Sequence, residues 1–345
     1  MRICEILAST GEGGLEKHML DLCNNMAAMG NEVHVIVDPY FAERFDAAVT
    51  VHCLNMQRSR NNPLLLWQLL KLIKTINPDV VHAQANKAAS LLSRVKRFLS
   101  VPCVGTIHNQ KSKSAMFRSM DAVIGVSKGA CSVVDHSNKH CIYNGVDQSL
   151  SLDAENCRKE LKELAGIEGE RPIAVALVRL VEVKRIDVLL KAWAGVDADL
   201  LIIGDGPLRS DLELQGKSLI EQGSVHFCGF VKDAARLLPG ADFMVISSDR
   251  EGFPYAMVEA LCAKVPVIST QVAAAKEALP LSLQVSLGDS KQLGDKVKHF
   301  IAEGGEYQSD LEKLFAWAGA VLSVEYMSQA TVKVLTAVQT KKVGA

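Results

Sequence analysis

The stretch SSDREGFPYAMVEALCAKVPVIST, residues 247–270, holds the residues whose types and spacing first suggest chemistry. Glu251 and Glu259 stand eight positions apart around a Gly252-Phe253-Pro254 turn, in a segment otherwise built as strand, turn, buried helix and strand. Proline suits the first position of a helix. The turn is therefore expected to present backbone N–H groups and the positive end of the helix dipole to whatever lies in front, and such an end binds phosphate. A carboxylate at Glu251, just outside the helix, can accept hydrogen bonds from sugar hydroxyls, while Glu259, further along, suits a ribose diol. One acid alone would serve as a partner for the dipole or as a solvated residue. Two acids flanking Gly-Phe-Pro point to a ligand.

The elements that must position them alternate along the chain. ICEIL leads through a glycine turn into LEKHMLDLCNNMAAMG, where Leu15, Met19, Leu22, Cys23 and Met26 recur at helical spacing and Gly30 is placed to end the helix. EVHVIVD, PDVVHA, PCVGTIH, AVIGVS and HCIYN follow as strands, with helices between them, one begun by Pro63 and one over 86–99. Residues 148–171 break this rhythm with a polar, charged stretch, and the domain joint is placed there. The alternation then restarts with PIAVALVR, a helix over 186–195, DLLIIGDG, a helix to about 222, VHFCGF, DFMVISS, the stretch quoted first, and LQVSL. Strand and helix in this order imply parallel sheets covered on both faces, so two α/β domains in series are expected, with a cleft between them as the site. The expected boundaries are 1–150, 151–322 and a last helical stretch over 323–345, which has no strand after it and is free to pack back on the first domain.

Composition sets limits. With 345 residues, 48% hydrophobic and 22% charged, the chain can bury a large core and is not disordered. Nine cysteines, widely scattered and without a CxxC pair, read as buried thiols of a reducing compartment. MRICEILAST has too short an apolar run for a signal peptide core, and no run reaches the length of a spanning helix, so a cytoplasmic protein is expected. Charge is uneven: residues 1–150 carry 16 Lys and Arg against 12 Asp and Glu, the remainder 22 against 27. Between Asp46 and Asp121, eleven cations (Arg58, Arg60, Lys71, Lys74, Lys87, Arg94, Lys96, Arg97, Lys111, Lys113, Arg118) face the single acid Asp79. A solvated face accounts for such a run, and so does an anionic partner.

EGFPYAMVEA resembles the Glu, seven residues, Glu motif of family 4 of the retaining glycosyltransferases, whose fold is GT-B: two Rossmann-like domains with parallel sheets facing across a cleft. The resemblance extends over nearly the whole chain. GEGGLEKHMLDL is similar to that family's Gly-Gly-x-Glu loop, GTIHN to its His-bearing loop, YNGVD to the segment closing its first domain, and LVRLVEVKRIDVLL to its Arg…Lys diphosphate clamp. IIGDGPLR and HFCGFV resemble its next two strands and turns. Asn109 stands where many relatives carry Asp, and Arg185 and Lys264 where they commonly carry Gly.

The resemblance implies roles. Cleaving a nucleotide-sugar bond builds negative charge on the departing diphosphate, which fixed cations and N–H donors must stabilise. Arg179 and Lys184 would do this, with Gly13 and Gly14 letting the backbone of the first domain come close, while Glu16 begins the following helix. His108 would contact the donor sugar from the first domain, Glu259 would hold the ribose, Glu251 with Gly252, Phe253 and Pro254 would grip diphosphate and sugar, and the base would stack near Phe230. The donor is expected to be a UDP-sugar and the acceptor a glycan hydroxyl, of lipopolysaccharide core or another bacterial surface polysaccharide. No cofactor and no metal are expected, Arg and Lys neutralising the diphosphate. The Asp197-Ala198-Asp199 triplet, which has the spacing of a metal-binding pair, is read as a loop on the edge opposite the ligand end of the sheet. Arg94, Lys96, Arg97, Lys111, Lys113 and Arg118 would dock on an anionic membrane surface or on a lipid-linked acceptor, placing the protein peripherally at the inner face of a bacterial inner membrane. Nucleic acid is not expected, since aromatic interleaving is missing.

The residues admit two rival readings. GEGGLE after a first strand, with Asp38 ending the second, fits a nicotinamide-dependent oxidoreductase, but the third glycine of its fingerprint would fall on Glu16. A non-catalytic scaffold relative is the other, and the retention of Glu251, Glu259, Arg179, Lys184 and His108 speaks against it.

Overall fold

The computed structural model describes residues 1–11, 13–109, 114–148 and 153–343. The chain divides into two compact units, Met1–Gly145 with Val321–Ala345, and Val146–Ala320.

The first unit is built on seven parallel strands: β1 (Arg2–Leu7), β2 (Glu32–Val37), β3 (Val49–Cys53), β4 (Val80–Gln84), β5 (Cys103–Ile107), β6 (Ala122–Gly125) and β7 (Lys139–Cys141), in the order β3-β2-β1-β4-β5-β6-β7. Helices cover both faces, which is why most inner-strand residues are apolar. On one face Ile3, Leu7, Val80 and Val104 pack with Met19, Leu22 and Met26 of the helix Gly14–Ala28 and with Met327, Val334 and Leu335 of the helix Val324–Val343. The last helix thus belongs to the first unit. Its entry is shaped by Gly145, where an added Cβ would lie 2.1 Å from the Ser323 carbonyl oxygen. The helix Pro63–Ile76 follows its sequence signals: Asn62 accepts from Leu65 N–H at 3.0 Å, Pro63 opens the first turn, and Asn77 closes it in the left-handed conformation. The helix expected over 86–99 ends earlier, spanning Ala85–Val95, with a short 3-10 turn Lys96–Phe98.

The second unit repeats the plan with six parallel strands: β8 (Ile173–Leu177), β9 (Asp199–Ile203), β10 (Val225–Gly229), β11 (Phe243–Ile246), β12 (Val267–Thr270) and β13 (Gln284–Val285), ordered β10-β9-β8-β11-β12-β13. In its core Trp193 stacks on Phe243, which meets Phe300 edge to face, and the indole N–H of Trp193 donates to the Ala198 carbonyl at 3.1 Å. Three expectations change here. The polar stretch placed at the domain joint contains the helix Ala154–Ala165, capped by Asp153 and burying Cys157 and Leu161 against the turn Ala234–Gly240. The helix expected to about 222 is two short helices, Arg209–Gln215 and Lys217–Glu221, separated at Gly216. Between LQVSL and the last helix, where no element was expected, lie the helices Ser290–Ala302 and Gln308–Val321. Leu293, Val297 and Phe300 of the first seal the core.

Candidate functional site

Both sheets reverse their strand order at one point, between β1 and β4 and between β8 and β11, and open α/β sheets bind ligands outside the carboxyl ends of the strands at such points. The polar residues of each unit gather there.

In the second unit, the loop after β8 carries Arg179. It is held by backbone bonds from Val178 N–H to Ile203 O and from Leu180 N–H to Asp205 O, both 2.9 Å. The Gly-Asp-Gly turn of IIGDGPLR exists for this contact: a Cβ on Gly204, whose φ is +139°, would sit 1.9 Å from the Val178 carbonyl oxygen, and one on Gly206 would sit 2.4 Å from that of Leu180. The Arg179 side chain is exposed and, among the described residues, forms no ion pair. Next comes Lys184, whose Nζ lies 2.5 Å from Glu251 Oε1, an oxygen that also accepts from Ser248 Oγ at 2.7 Å. Ser247 Oγ donates to the Lys184 carbonyl at 2.8 Å, Asp249 N–H to the Val183 carbonyl at 2.9 Å, and Thr270 Oγ1 to the Ser248 carbonyl at 2.6 Å. The two loops are therefore stitched together by backbone and hydroxyl groups, leaving the lysine–glutamate pair at their junction. It lines a small recess with Val178, Ser247, Ser248 and Pro254.

Pro254 is not the first residue of its helix. It is the cap, with extended backbone (φ −70°, ψ 136°), and the helix runs Tyr255–Cys262. Phe253 is 3% exposed, so its ring belongs to the core. Gly252 is half-buried in the turn, and Glu259 lies half-buried in the second turn of the helix. Phe230, just beyond β10, is 70% exposed, a large aromatic face without cover. Arg185 has φ +50°, the left-handed region that favours glycine, and its guanidinium bonds Asp187 (3.0 and 3.2 Å) and Asp249 (3.2 Å). These carboxylates, Asp187 foremost, hold its proton more tightly than usual.

In the first unit the polar groups lie on the sheet itself. Side chains alternate across a strand, so Glu5 on β1, His82 and Gln84 on β4, and Thr106 on β5 with His108 just after it share one face. Sequence reasoning singled out His108 alone. The others are Glu5 and His82 (0% exposed), Gln84 and Thr106 (1%), and the signal for them was a polar residue at every second position of otherwise apolar strands. Glu5 Oε1 and His82 Nδ1 are 2.7 Å apart, His82 Nε2 and Thr106 Oγ1 2.7 Å, Gln84 Nε2 and Glu5 Oε2 3.0 Å, and His108 Nε2 and Gln84 Oε1 2.9 Å. His18, from the helix above, sets its ring edge-on to His108 with centroids 4.6 Å apart and reaches Asn144 Oδ1 at 3.1 Å. Burial, then the neighbouring His82, lowers the His18 pKa to about 4 against the pull of Asn144. Burial, then His18 and His82, holds His108 well below the usual imidazole range.

The glycine loop differs from expectation. Gly13 caps the helix in extended backbone that any residue adopts, and Gly14 is the first helical residue. Glu16 sits in the first turn, 6% exposed, its carboxylate folded back to accept from Ser9 Oγ, so an acid already answers the dipole there. Asp38, the ribose-binding acid of the oxidoreductase reading, accepts from Tyr40 N–H at 3.3 Å and Met56 N–H at 3.0 Å and is 3% exposed. It is a structural cap.

Of the basic residues, Arg94, Arg97 and Arg118 are exposed, Lys111 and Lys113 lie outside the described residues, and Lys96 pairs with Asp121 at 3.0 Å. The cation expected to dock is therefore neutralised by the acid that closes the basic run. Nearby exposed apolar groups went unnoticed in the sequence: Leu64 (47%), Trp67 (58%) with Lys71 Nζ 5.4 Å from its ring, and Phe98 (51%) with Arg97 4.6 Å from its ring. Asp199 is not in a loop: it opens β9, buried, and pairs with Arg171 at 2.6 Å and His226 at 3.2 Å. Among the described residues no group of His, Cys, Asp and Glu is arranged to hold a metal, and no helix is long and apolar enough to cross a membrane.

Two family descriptions fit the chain: Glycosyltransferase Family 4 over residues 12–150 and Glycosyl transferases group 1 over residues 171–303. The chain belongs to the family 4 glycosyltransferases and is an enzyme of that class with the GT-B fold. Among curated relatives it is 25% identical to the lipopolysaccharide core biosynthesis glycosyltransferase LpsE of Rhizobium meliloti (strain 1021), over 85% of this chain and 86% of that one. Among solved structures it is similar to Anabaena HepE in complex with UDP and glucose (18% identity, TM-score 0.82, 98% of this chain and 100% of that one). It is likewise similar to a glycosyltransferase from Rickettsia africae ESF-5 (17% identity, TM-score 0.85, 98% of each).

Proposed function

We propose that the enzyme transfers a sugar, with retention of configuration, from a UDP-sugar to a hydroxyl of a lipopolysaccharide core or another bacterial surface polysaccharide. The observation that carries this reading is the Lys184–Glu251 pair, fixed by Ser248 at the carboxyl ends of β8 and β11, with Arg179 exposed on the loop that follows β8. An arriving diphosphate would compete with Glu251 for the lysine and draw in Arg179, whereas Glu251, still held by Ser248, would turn an oxygen to a sugar hydroxyl. Two fixed cations supply the neutralisation that a divalent metal gives elsewhere, so the reaction proceeds in chelator. Phe230 offers a face for the base, and Glu259 a carboxylate for the ribose. The pairing of HepE with UDP and glucose supports a uridine donor, and the name of LpsE supports the acceptor class.

Contact with an anionic membrane rests on Arg94, Arg97 and Arg118 together with Trp67, Leu64 and Phe98, since interfacial binding combines basic charge with apolar and aromatic anchors. A donor-hydrolysis screen over UDP-, GDP- and ADP-sugars in the presence of EDTA tests the donor: release of UDP from one UDP-sugar is expected, and turnover of only another base, or none without metal, overturns it. Charge reversal at Arg94, Arg97 and Arg118 should weaken sedimentation with phosphatidylglycerol vesicles at low salt and leave UDP affinity intact. Unchanged sedimentation removes the membrane from the proposal.

A further inference from the structure

The chain of hydrogen bonds ending at His108 has a direction. Oε1 of Glu5 shares a proton with His82 Nδ1, so Oε2 of Glu5 is an acceptor whichever partner holds that proton. Gln84 must then turn its NH2 group toward Oε2, at 3.0 Å, because a flipped amide would set oxygen against oxygen between two fully buried side chains. The carbonyl of Gln84 is thereby committed to the other side, where it lies 2.9 Å from His108 Nε2. A carbonyl only accepts, so His108 carries its proton on Nε2.

From this geometry we infer that Gln84, oriented by Glu5 and His82, is a positioning residue that locks His108 in the Nε2–H tautomer, so that it meets the donor sugar through Nδ1 as a hydrogen-bond acceptor. The inference rests on the reading of His108 as a sugar contact and sharpens it. A neutral imidazole with Nε2 committed has no proton to give from Nδ1: the group facing it must itself be a donor, such as a hydroxyl, and a carboxylate or phosphate oxygen there would meet a lone pair. Specificity follows from the mismatch, since an unpaired polar group at a closed site costs more than a made hydrogen bond gains. The rest of the string serves this one orientation. Thr106 fixes His82 at 2.7 Å, and the low pKa of the packed rings keeps His108 neutral, with one tautomer to choose.

The test begins with the unmodified full-length chain, labelled with 15N-histidine, whose His108 resonance is identified by its loss in His108→Gln. A protonated Nε2 with unprotonated Nδ1 is expected in the unmodified chain, and the opposite tautomer overturns the inference. Gln84→Met removes both bonds at nearly constant volume. It should mix the tautomers and lower kcat/KM roughly tenfold, one hydrogen bond's worth of alignment. The substrate is whichever of UDP-glucose, UDP-galactose and UDP-N-acetylglucosamine the wild type hydrolyses fastest, and calorimetric affinity for free UDP should not change. The exchange Glu5→Gln with Gln84→Glu rebuilds the same bonds in reverse, and it should restore both the tautomer and the rate. A Gln84→Met enzyme with an unchanged tautomer, or an exchange that restores folding without restoring the tautomer, overturns the lock. Full activity in His108→Ala, once the Nε2–H tautomer has been found in the unmodified enzyme, overturns instead the sugar contact beneath it, so the two failures are told apart.

Discussion

The two sheets run in the same strand order to the same switch point and equip it in opposite ways. In the first, the inner strands themselves carry the polar groups, Glu5, His82, Gln84 and Thr106, closed off between sheet and helix. In the second, β8 and β11 are apolar (IAVAL, FMVI), and the charges sit beyond the strand ends on loops, 11–23% exposed at Lys184 and Glu251. A buried string orients a ring firmly but tolerates no missing member. An ion pair on stitched loops can open toward a ligand and close again, and contributes little to stability.

The largest separation between the two designs is expected from His82→Leu, which leaves Glu5 buried without its partner. It should cost about 3–5 kcal/mol, measured by urea unfolding, whereas Lys184→Ala should shift the same transition by only about 1 kcal/mol. Activity should divide the other way. Lys184→Ala is expected to lower kcat/KM by about 10²–10³-fold, as loss of a donor to developing charge does, measured by UDP release. Acid gives the next effect. His18 is neutral when folded, with a pKa near 4, and takes up a proton when unfolded at an ordinary pKa near 6.5. Stability is therefore complete above pH 6.5 and is lost as the pH falls toward 4, by about 3 kcal/mol in all from this residue. His18→Asn should flatten that slope in unfolding curves taken across the window. The smallest effect is expected from Arg185→Gly, where relief of the left-handed backbone offsets two lost ion pairs: a change within about 1 kcal/mol, with Tm as the measure.

How much of this was legible follows from what each signal depends on. The alternation of strands and helices, the helix start at Pro63 and the paired Lys184 and Glu251 rest on local pattern or on motif, and they were readable. Arg185 and Lys264 stood out as departures from glycine, and the structure gives the reason: φ is +50° and +58° at those positions. The buried string was not read because its members lie in three separate strands and meet only through register. Lys96 counted as a free cation because its partner, Asp121, is distant in sequence. The helix Ser290–Ala302 did announce itself, with Asp289 accepting from Gln292 N–H at 2.9 Å and apolar residues at 293, 297 and 300. Cap and spacing together make this helix legible from local sequence alone.

The return of Val324–Val343 to the first unit bears on how the chain is made. During synthesis the sheet of the first unit emerges early, yet the apolar surface that Met327, Val334 and Leu335 cover stays bare until the helix Val324–Val343 has been made, after the whole second unit. The nascent chain thus carries an open apolar face while the second unit is made, a state that favours aggregation, and the helix Val324–Val343 is the latch that ends that interval.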